Sequence, residues 1–101
     1  SRIGMTDWIV LKADVISAVV DDEVVALDAA MGVCFGLNAV ASRVWEMIAE
    51  PAQVCALSDV LLQEYDVDRA TCEAQVLELL ESLRVEGLIV VRPTGPAPAA
   101  P

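Results

Sequence analysis

The first third of the chain carries short apolar runs separated by turn residues, whereas apolar positions recur at helical spacing in the remainder. Val15–Val20 is a β-branched run, and Glu23–Asp28 is the run expected to pair with it. The acidic pair at 21–22 lies between them, and Asp tolerates the backbone angles of a tight turn. A second turn, ending in Gly32, precedes a third run at 33–37. The pattern predicts three antiparallel strands joined by short turns.

Helical periodicity begins directly after this meander. Asn38 is a suitable N-cap, and the apolar spacing that follows predicts a first helix up to Glu50, where Pro51 ends it. The same spacing predicts a second helix over 54–65 and a third, the longest, over 69–86.

Local signals mark the limits of the predicted third helix. Asp68 is a suitable N-cap, and Gly87 stands just past the expected end. Apolar runs at Trp8–Leu11 and 88–91 predict two further short strands. The fold class is therefore α+β: a three-stranded antiparallel sheet followed by three helices, similar in outline to a winged helix-turn-helix.

We expect one domain over residues 5–92 of the 101-residue chain. Residues 1–4 lack the apolar centre of a signal peptide and are interpreted as a remnant of cloning. Residues 93–101 are rich in Pro and Ala and predict a disordered tail. No apolar run approaches the roughly 20 residues that a membrane-spanning helix needs, so no membrane partner is expected.

Charge narrows the choice of partner. The chain has 16 acidic and 6 basic residues, a net charge of −10, which disfavours nucleic acid because phosphate binding depends on Lys and Arg. The same charge favours a basic partner, such as a peptide that carries Lys or Arg. A simpler alternative is that the acids only keep a chain that is 56% hydrophobic in solution.

The side chains needed for catalysis are missing or dispersed. The absence of His excludes Ser–His and Cys–His nucleophiles, and Cys34, Cys55 and Cys72 are too widely spaced to suggest a metal site. No phosphate-binding loop or cofactor motif is present. We therefore expect neither an enzyme nor a cofactor, and the cysteine pattern fits a reducing cytoplasm.

Ser58, which precedes Asp59, invites comparison with the Asp-Ser-Leu site of acyl carrier proteins, but here the residue order is reversed and strands precede the helices. We interpret Ser58 as a solvated helix position.

The last strand of the meander, 33–37, is expected to leave one backbone edge unpaired. If the long third helix leans beside this edge, an apolar groove forms in which an extended peptide adds as another strand. Two alternatives stay open: the apolar stripe of the helix is simply core, or the edge pairs with a second copy to give a homodimer.

The residues of this region resemble a known family. Leu27-Asp28, Gly32, Phe35-Gly36-Leu37-Asn38 and Val44-Trp45-Glu46 follow the order and spacing of the signature L-D-x-x-x-G-x-x-F-G-L-N…I-W-E. That signature belongs to PqqD-like proteins, the recognition elements for precursors of ribosomally synthesised and post-translationally modified peptides. The resemblance covers about residues 8–92.

The resemblance implies a non-catalytic domain that binds the leader segment of a precursor peptide as an added antiparallel strand. It implies delivery of that precursor to a separate enzyme: a cysteine-type leader peptidase of a lasso peptide pathway, or alternatively a radical-SAM enzyme in PQQ or related synthesis. Lasso leaders commonly carry Tyr-x-x-Pro, which implies a pocket that fits Tyr.

Positions carried over from the family give a predicted peptide-binding set, drawn from the last strand and the third helix: Val33, Cys34, Phe35, Gly36, Leu37, Val76, Leu79, Leu80, Leu83 and Arg84. A winged-helix DNA-binding protein is the competing class. It would need a basic recognition helix, whereas the predicted helix 69–86 has two Arg and four Glu.

Overall fold

The structure is a computed structural model, and it describes residues 2–29 and 32–95. Nine elements follow one another along this part of the chain: β1 (Trp8–Leu11), β2 (Val15–Val20), β3 (Glu23–Asp28), β4 (Val33–Gly36), α1 (Ala39–Met47), β5 (Ala52–Gln53), α2 (Val54–Glu64), α3 (Arg69–Val85) and β6 (Ile89–Arg92).

The strands form two antiparallel sheets. The predicted meander is confirmed, with strand order β2-β3-β4. The two flanking strands do not join it: β1 lies between β5 and β6, with Trp8 opposite both Gln53 and Arg92. The two-residue strand β5 was not predicted, because two residues are too few to show an alternating pattern.

The hairpin between β2 and β3 is fixed by its turn. Asp21 and Asp22 have φ values of 52° and 68°, the left-handed conformation that both central residues of a type I′ turn require. The turn sets the register in which Val20 lies opposite Glu23, so that alternate residues of β3 are buried. Gly32 also has a positive φ, of 70°.

The predicted caps are confirmed. Asn38 accepts a hydrogen bond from the Ala41 N–H at 2.9 Å, and Asp68 accepts bonds from the N–H and hydroxyl of Thr71. The bonds from Thr71 lower the pKa of Asp68. Gly87, with φ 78°, ends α3, and the N–H after it bonds back to the Leu83 carbonyl.

The core lies between the helices and the inward faces of both sheets. Its largest fully buried apolar side chains come from β1, from the residue that caps the end of α1, from α2 and α3, and from the residue before β6: Ile9, Ile48, Leu57, Leu80 and Leu88. Trp45 is 4% exposed, and its indole N–H donates to the Ser17 hydroxyl at 3.0 Å, which joins α1 to β2. Its predicted position in the core is confirmed.

Ser58 corrects the interpretation of α2. It is completely buried rather than solvated, since it lies on the same helix face as Val54 and Leu61. Its hydroxyl has no hydrogen-bond partner within the described residues. A side chain in this position is inaccessible to a modifying enzyme, which removes the likeness to an acyl carrier.

Residues near the ends of the described chain pack against the domain. Ile3, which lies outside the predicted domain, is 7% exposed and belongs to the core, and the Gly95 backbone lies against the Trp8 indole. The predicted disordered tail falls mostly on residues 96–101, which lie outside the described residues. Among the helices that are described, none is both long and apolar enough to cross a bilayer.

Candidate functional site

The register of β4 determines which of its backbone groups face outward. The Leu37 N–H donates to the Val24 carbonyl at 2.8 Å, so these two residues form a hydrogen-bonded pair. Bonded and non-bonded pairs alternate along an antiparallel ladder, so positions 33 and 35 also bond to β3. Cys34 and Gly36 therefore direct their N–H and C=O groups away from β3. No described strand pairs with this side of β4.

The side chains of β4 follow the same alternation. Leu37, just past β4, is buried at 7% exposure, and Phe35 is half-buried against the core. Cys34 is exposed on the opposite face of the sheet. Val33 belongs to β4, but its side chain lies outside the described part of the structure. The predicted strand is thus an edge with an open backbone side, held to the core by Phe35 and Leu37.

A buried hydroxyl fixes the end of this edge. The Ser42 Oγ accepts from the Val24 N–H at 2.9 Å and donates to the Leu37 carbonyl at 3.0 Å. It takes the place of the second backbone bond that the Val24–Leu37 pair would otherwise make. Ser42 lies in the first turn of α1, so this bridge ties the helix to both strands where β4 ends. Sequence reasoning missed Ser42; the available signal was a hydroxyl on the inward face of a helix that is otherwise apolar.

A cleft of about 450 Å³ opens where β4 ends. Asn38 and Val40, which follow the strand, form one end, and Tyr65, just past α2, forms part of the wall. The side contributed by α3 presents its open face, which consists of Gln75, Glu78, Leu79 and Ser82, with Val76 beneath. Tyr65 and Val40 are 40% and 39% exposed, so the cleft is accessible from solvent.

Of the five α3 residues predicted to bind the peptide, two line the cleft and three do not. Val76 and Leu79 line the cleft, although Val76 is only 2% exposed. Leu80 and Leu83 do not: they are 0% and 4% exposed and point into the core. The reason is helical geometry, since 76, 80 and 83 share the inward face while 75, 78, 79 and 82 share the open one.

Arg84 is also placed away from the cleft. It forms an ion pair with Glu81 and lines a separate depression together with Ile3 and Ile89. The ion pair lowers the pKa of Glu81. The sequence analysis predicted Leu80, Leu83 and Arg84 on the wall of the groove, whereas the structure places none of them in this cleft. The wall that exists is more polar than predicted.

An ion pair near the cleft joins two helices, and the Cys72 thiol in the cleft wall is buried. Arg43 donates from Nε and Nη2 to the Glu64 carboxylate at 2.9 and 2.8 Å, which joins α1 to α2. This contact raises the pKa of Arg43 and lowers that of Glu64. Burial raises the pKa of the Cys72 thiol, which disfavours a reactive thiolate there. The described residues contain no group of three or more Cys, Asp or Glu placed to hold a metal ion.

Comparisons with known proteins place this geometry in a family. Residues 23–89 match the sequence profile of the PqqD family, coenzyme PQQ synthesis protein D. This match spans most of the domain, including β4, the cleft and α3. The chain belongs to the PqqD family.

Two solved structures are similar to this fold. TbiB1 in complex with the TbiA(beta) leader peptide is 38% identical, with a TM-score of 0.76 over 79% of this chain and 93% of that one. Lasso peptide synthetase B1 complexed with the leader peptide is 25% identical, with a TM-score of 0.72 over 81% of this chain and 96% of that one. No curated protein sequence matches the chain.

The Ser42 bridge gives a test of how the edge is held. Ser42→Ala should lower the free energy of unfolding by about 1–3 kcal/mol, because the buried Val24 N–H loses its acceptor. Urea denaturation followed by circular dichroism measures this change. Ser82→Ala, on the open face of α3, is the control and should shift stability by less than about 0.5 kcal/mol. Equal effects of the two variants would contradict the bridge.

Proposed function

We propose that this chain binds the leader segment of a ribosomally made precursor peptide, without catalysing a reaction on it. The observation that carries the proposal is the open edge of β4, where Cys34 and Gly36 present unpaired backbone groups. An extended peptide satisfies such groups by adding as the next strand. Membership of the PqqD family and the leader peptides in the two similar structures support this proposal.

The edge alone supplies only part of the binding free energy. Two N–H and two C=O groups allow up to four hydrogen bonds, at about 0.5–1.5 kcal/mol each, or about 2–6 kcal/mol together. Micromolar affinity corresponds to about 8 kcal/mol. Burial of roughly 100 Å² of apolar peptide surface in the cleft adds about 2.5 kcal/mol before ordering costs. The edge and the cleft are therefore both needed.

Antiparallel addition to β4 places one end of the bound peptide at the cleft. In an antiparallel addition, the N-terminal part of the peptide lies beside the end of β4, next to Asn38 and the cleft. Its later residues run back along β4 and leave near Gly32. The leader is thus held by its N-terminal part, while the segment to be processed extends away from the cleft.

Delivery to a processing enzyme needs a second surface, and the outer face of the β2-β3-β4 sheet is a candidate. Ile16 and Val20 are 60% and 54% exposed there, and Cys34 lies on the same face. Carboxylates at 14 and 21–23 surround it, so a second copy of this chain would bring like charges together.

We assign this face to the enzyme that acts on the bound precursor, which should present an apolar patch with a basic rim. In a lasso pathway this enzyme is a cysteine-type leader peptidase; a radical-SAM enzyme of PQQ or related synthesis is the alternative within the same family. Three free cysteines support a reducing, cytoplasmic setting.

Strand addition is tested by removing one outward N–H. Cys34→Pro should weaken binding of the leader peptide encoded beside this chain at least fivefold in fluorescence polarisation, because proline cannot donate to the added strand. The wild type should saturate below about 100 μM, which corresponds to roughly 5.5 kcal/mol. Val19→Pro is the matched control. By the same alternation, it removes an outward N–H from β2, the opposite edge.

Unchanged affinity of a folded Cys34→Pro variant would argue against this edge. If circular dichroism shows that the variant does not fold, leader peptides that are N-methylated at successive residues provide the same test from the other side. Alternate positions should then lose affinity, and no alternation would reject the ladder.

The outer face is tested separately from leader binding. Ile16→Asp should leave leader affinity within about twofold but slow leader removal by the partner peptidase at least fivefold, because a carboxylate replaces an apolar contact. Val90→Asp is the matched control: it makes the same kind of apolar-to-carboxylate change at an exposed position of β6, in the other sheet, and should leave processing unchanged. Normal processing by Ile16→Asp would show that the enzyme docks elsewhere.

A further inference from the structure

The open face of α3 carries a carboxylate at a central position. The cleft of about 450 Å³ and a second depression of about 360 Å³ lie end to end along the helix, and Glu78 and Ser82 line both. Leu79 contributes an apolar surface on one side of Glu78, and Val85, 75% exposed, lies further along in the second depression. If a peptide strand lies between β4 and α3, those of its side chains that enter the cleft come close to Glu78.

Glu78 has no cation of its own in the described structure. Four of the six basic residues form ion pairs elsewhere: Lys12 with Asp28, Arg43 with Glu64, Arg69 with Asp59 and Glu73, and Arg84 with Glu81. No hydrogen bond or ion pair of Glu78 occurs within the residues that the structure describes. The carboxylate is therefore free to bind a charge supplied from outside.

The setting of Glu78 favours a cation over a neutral polar group. Glu78 is an exposed carboxylate that lines the cleft, and the net charge of −10 on the chain adds to its attraction for a cation. A Lys or Arg side chain lets its apolar stem lie along Leu79 while its charged end reaches the carboxylate. Asp or Glu at the same peptide position would be repelled.

We propose that Glu78 selects leader peptides that carry a Lys or Arg in the N-terminal part of the bound segment. This inference rests on the proposed function and specifies the peptide that the cleft accepts: an apolar or aromatic side chain that fills it, with a basic residue nearby on the same face of the strand. The N-terminal location follows from antiparallel addition, since the cleft adjoins the end of β4.

Charge neutralisation tests the proposal. Glu78→Gln should weaken binding of the fluorescein-labelled leader peptide encoded beside this chain about fivefold at 50 mM salt, and the loss should shrink towards twofold at 500 mM because salt screens the pair. Glu50→Gln is the matched control: it makes the same charge change at an exposed residue beyond the C-terminal end of α1. It should change affinity by less than twofold.

A charge exchange identifies the peptide residue. Each Lys or Arg of the leader is replaced in turn by Glu, and each peptide is titrated against the wild type and Glu78→Lys. One substituted peptide should bind weakly to the wild type and regain affinity with Glu78→Lys, whereas the others should not. Equal effects of Glu78→Gln and Glu50→Gln, or rescue of no peptide, would overturn the proposal. Failure of the wild type to bind any leader would instead reject the proposed function.

Discussion

The site depends on how the β3–β4 ladder ends. The Val24–Leu37 pair has one backbone bond, and the Ser42 hydroxyl supplies the other two contacts by accepting from Val24 and donating to Leu37. This arrangement satisfies the buried polar groups of both strands, as a buried backbone requires. It also lets the chain leave the sheet and enter α1 at once, with Asn38 as the cap. Within the described chain, no strand pairs with the outer edge of β4.

In the proposed complex, recognition of the leader peptide is divided between the edge and the cleft. Backbone groups at Cys34 and Gly36 accept an extended strand of almost any sequence, so they give affinity with little discrimination. The cleft would select among peptide side chains, because Tyr65, Leu79 and Glu78 give it aromatic, apolar and anionic surfaces. A leader peptide has to satisfy both, which separates it from other extended segments in a cell. The separate outer face of the sheet leaves room for an enzyme to approach a peptide already in place.

Features set by local chemistry were predictable from the sequence. The turn at 21–22, the N-caps Asn38 and Asp68 and the end of α3 at Gly87 each depend on a few neighbouring residues, and all were predicted. The open strand was also predicted, because a meander has to end in an edge. The lining of the cleft was not: the apolar stripe of α3 is wide, and only packing shows that Leu80 and Leu83 face the core while Gln75 and Ser82 face outward. The burial of Ser58 and Ser42 was not predicted for a related reason. A periodic pattern counts a hydroxyl as a polar, solvated position even where it lies on the buried face of a helix.

The most direct measurement is residue-resolved amide hydrogen exchange by NMR, with and without the leader peptide. In the free protein the Cys34 and Gly36 amides should exchange quickly, because they point to the open edge, whereas the amides at 33 and 35 are already bonded to β3. Saturating leader should slow exchange at Cys34 and Gly36 by at least about tenfold and leave β2 unchanged. Protection that appears along β2 instead, or none at Cys34 and Gly36 in the saturated complex, would contradict docking at this edge.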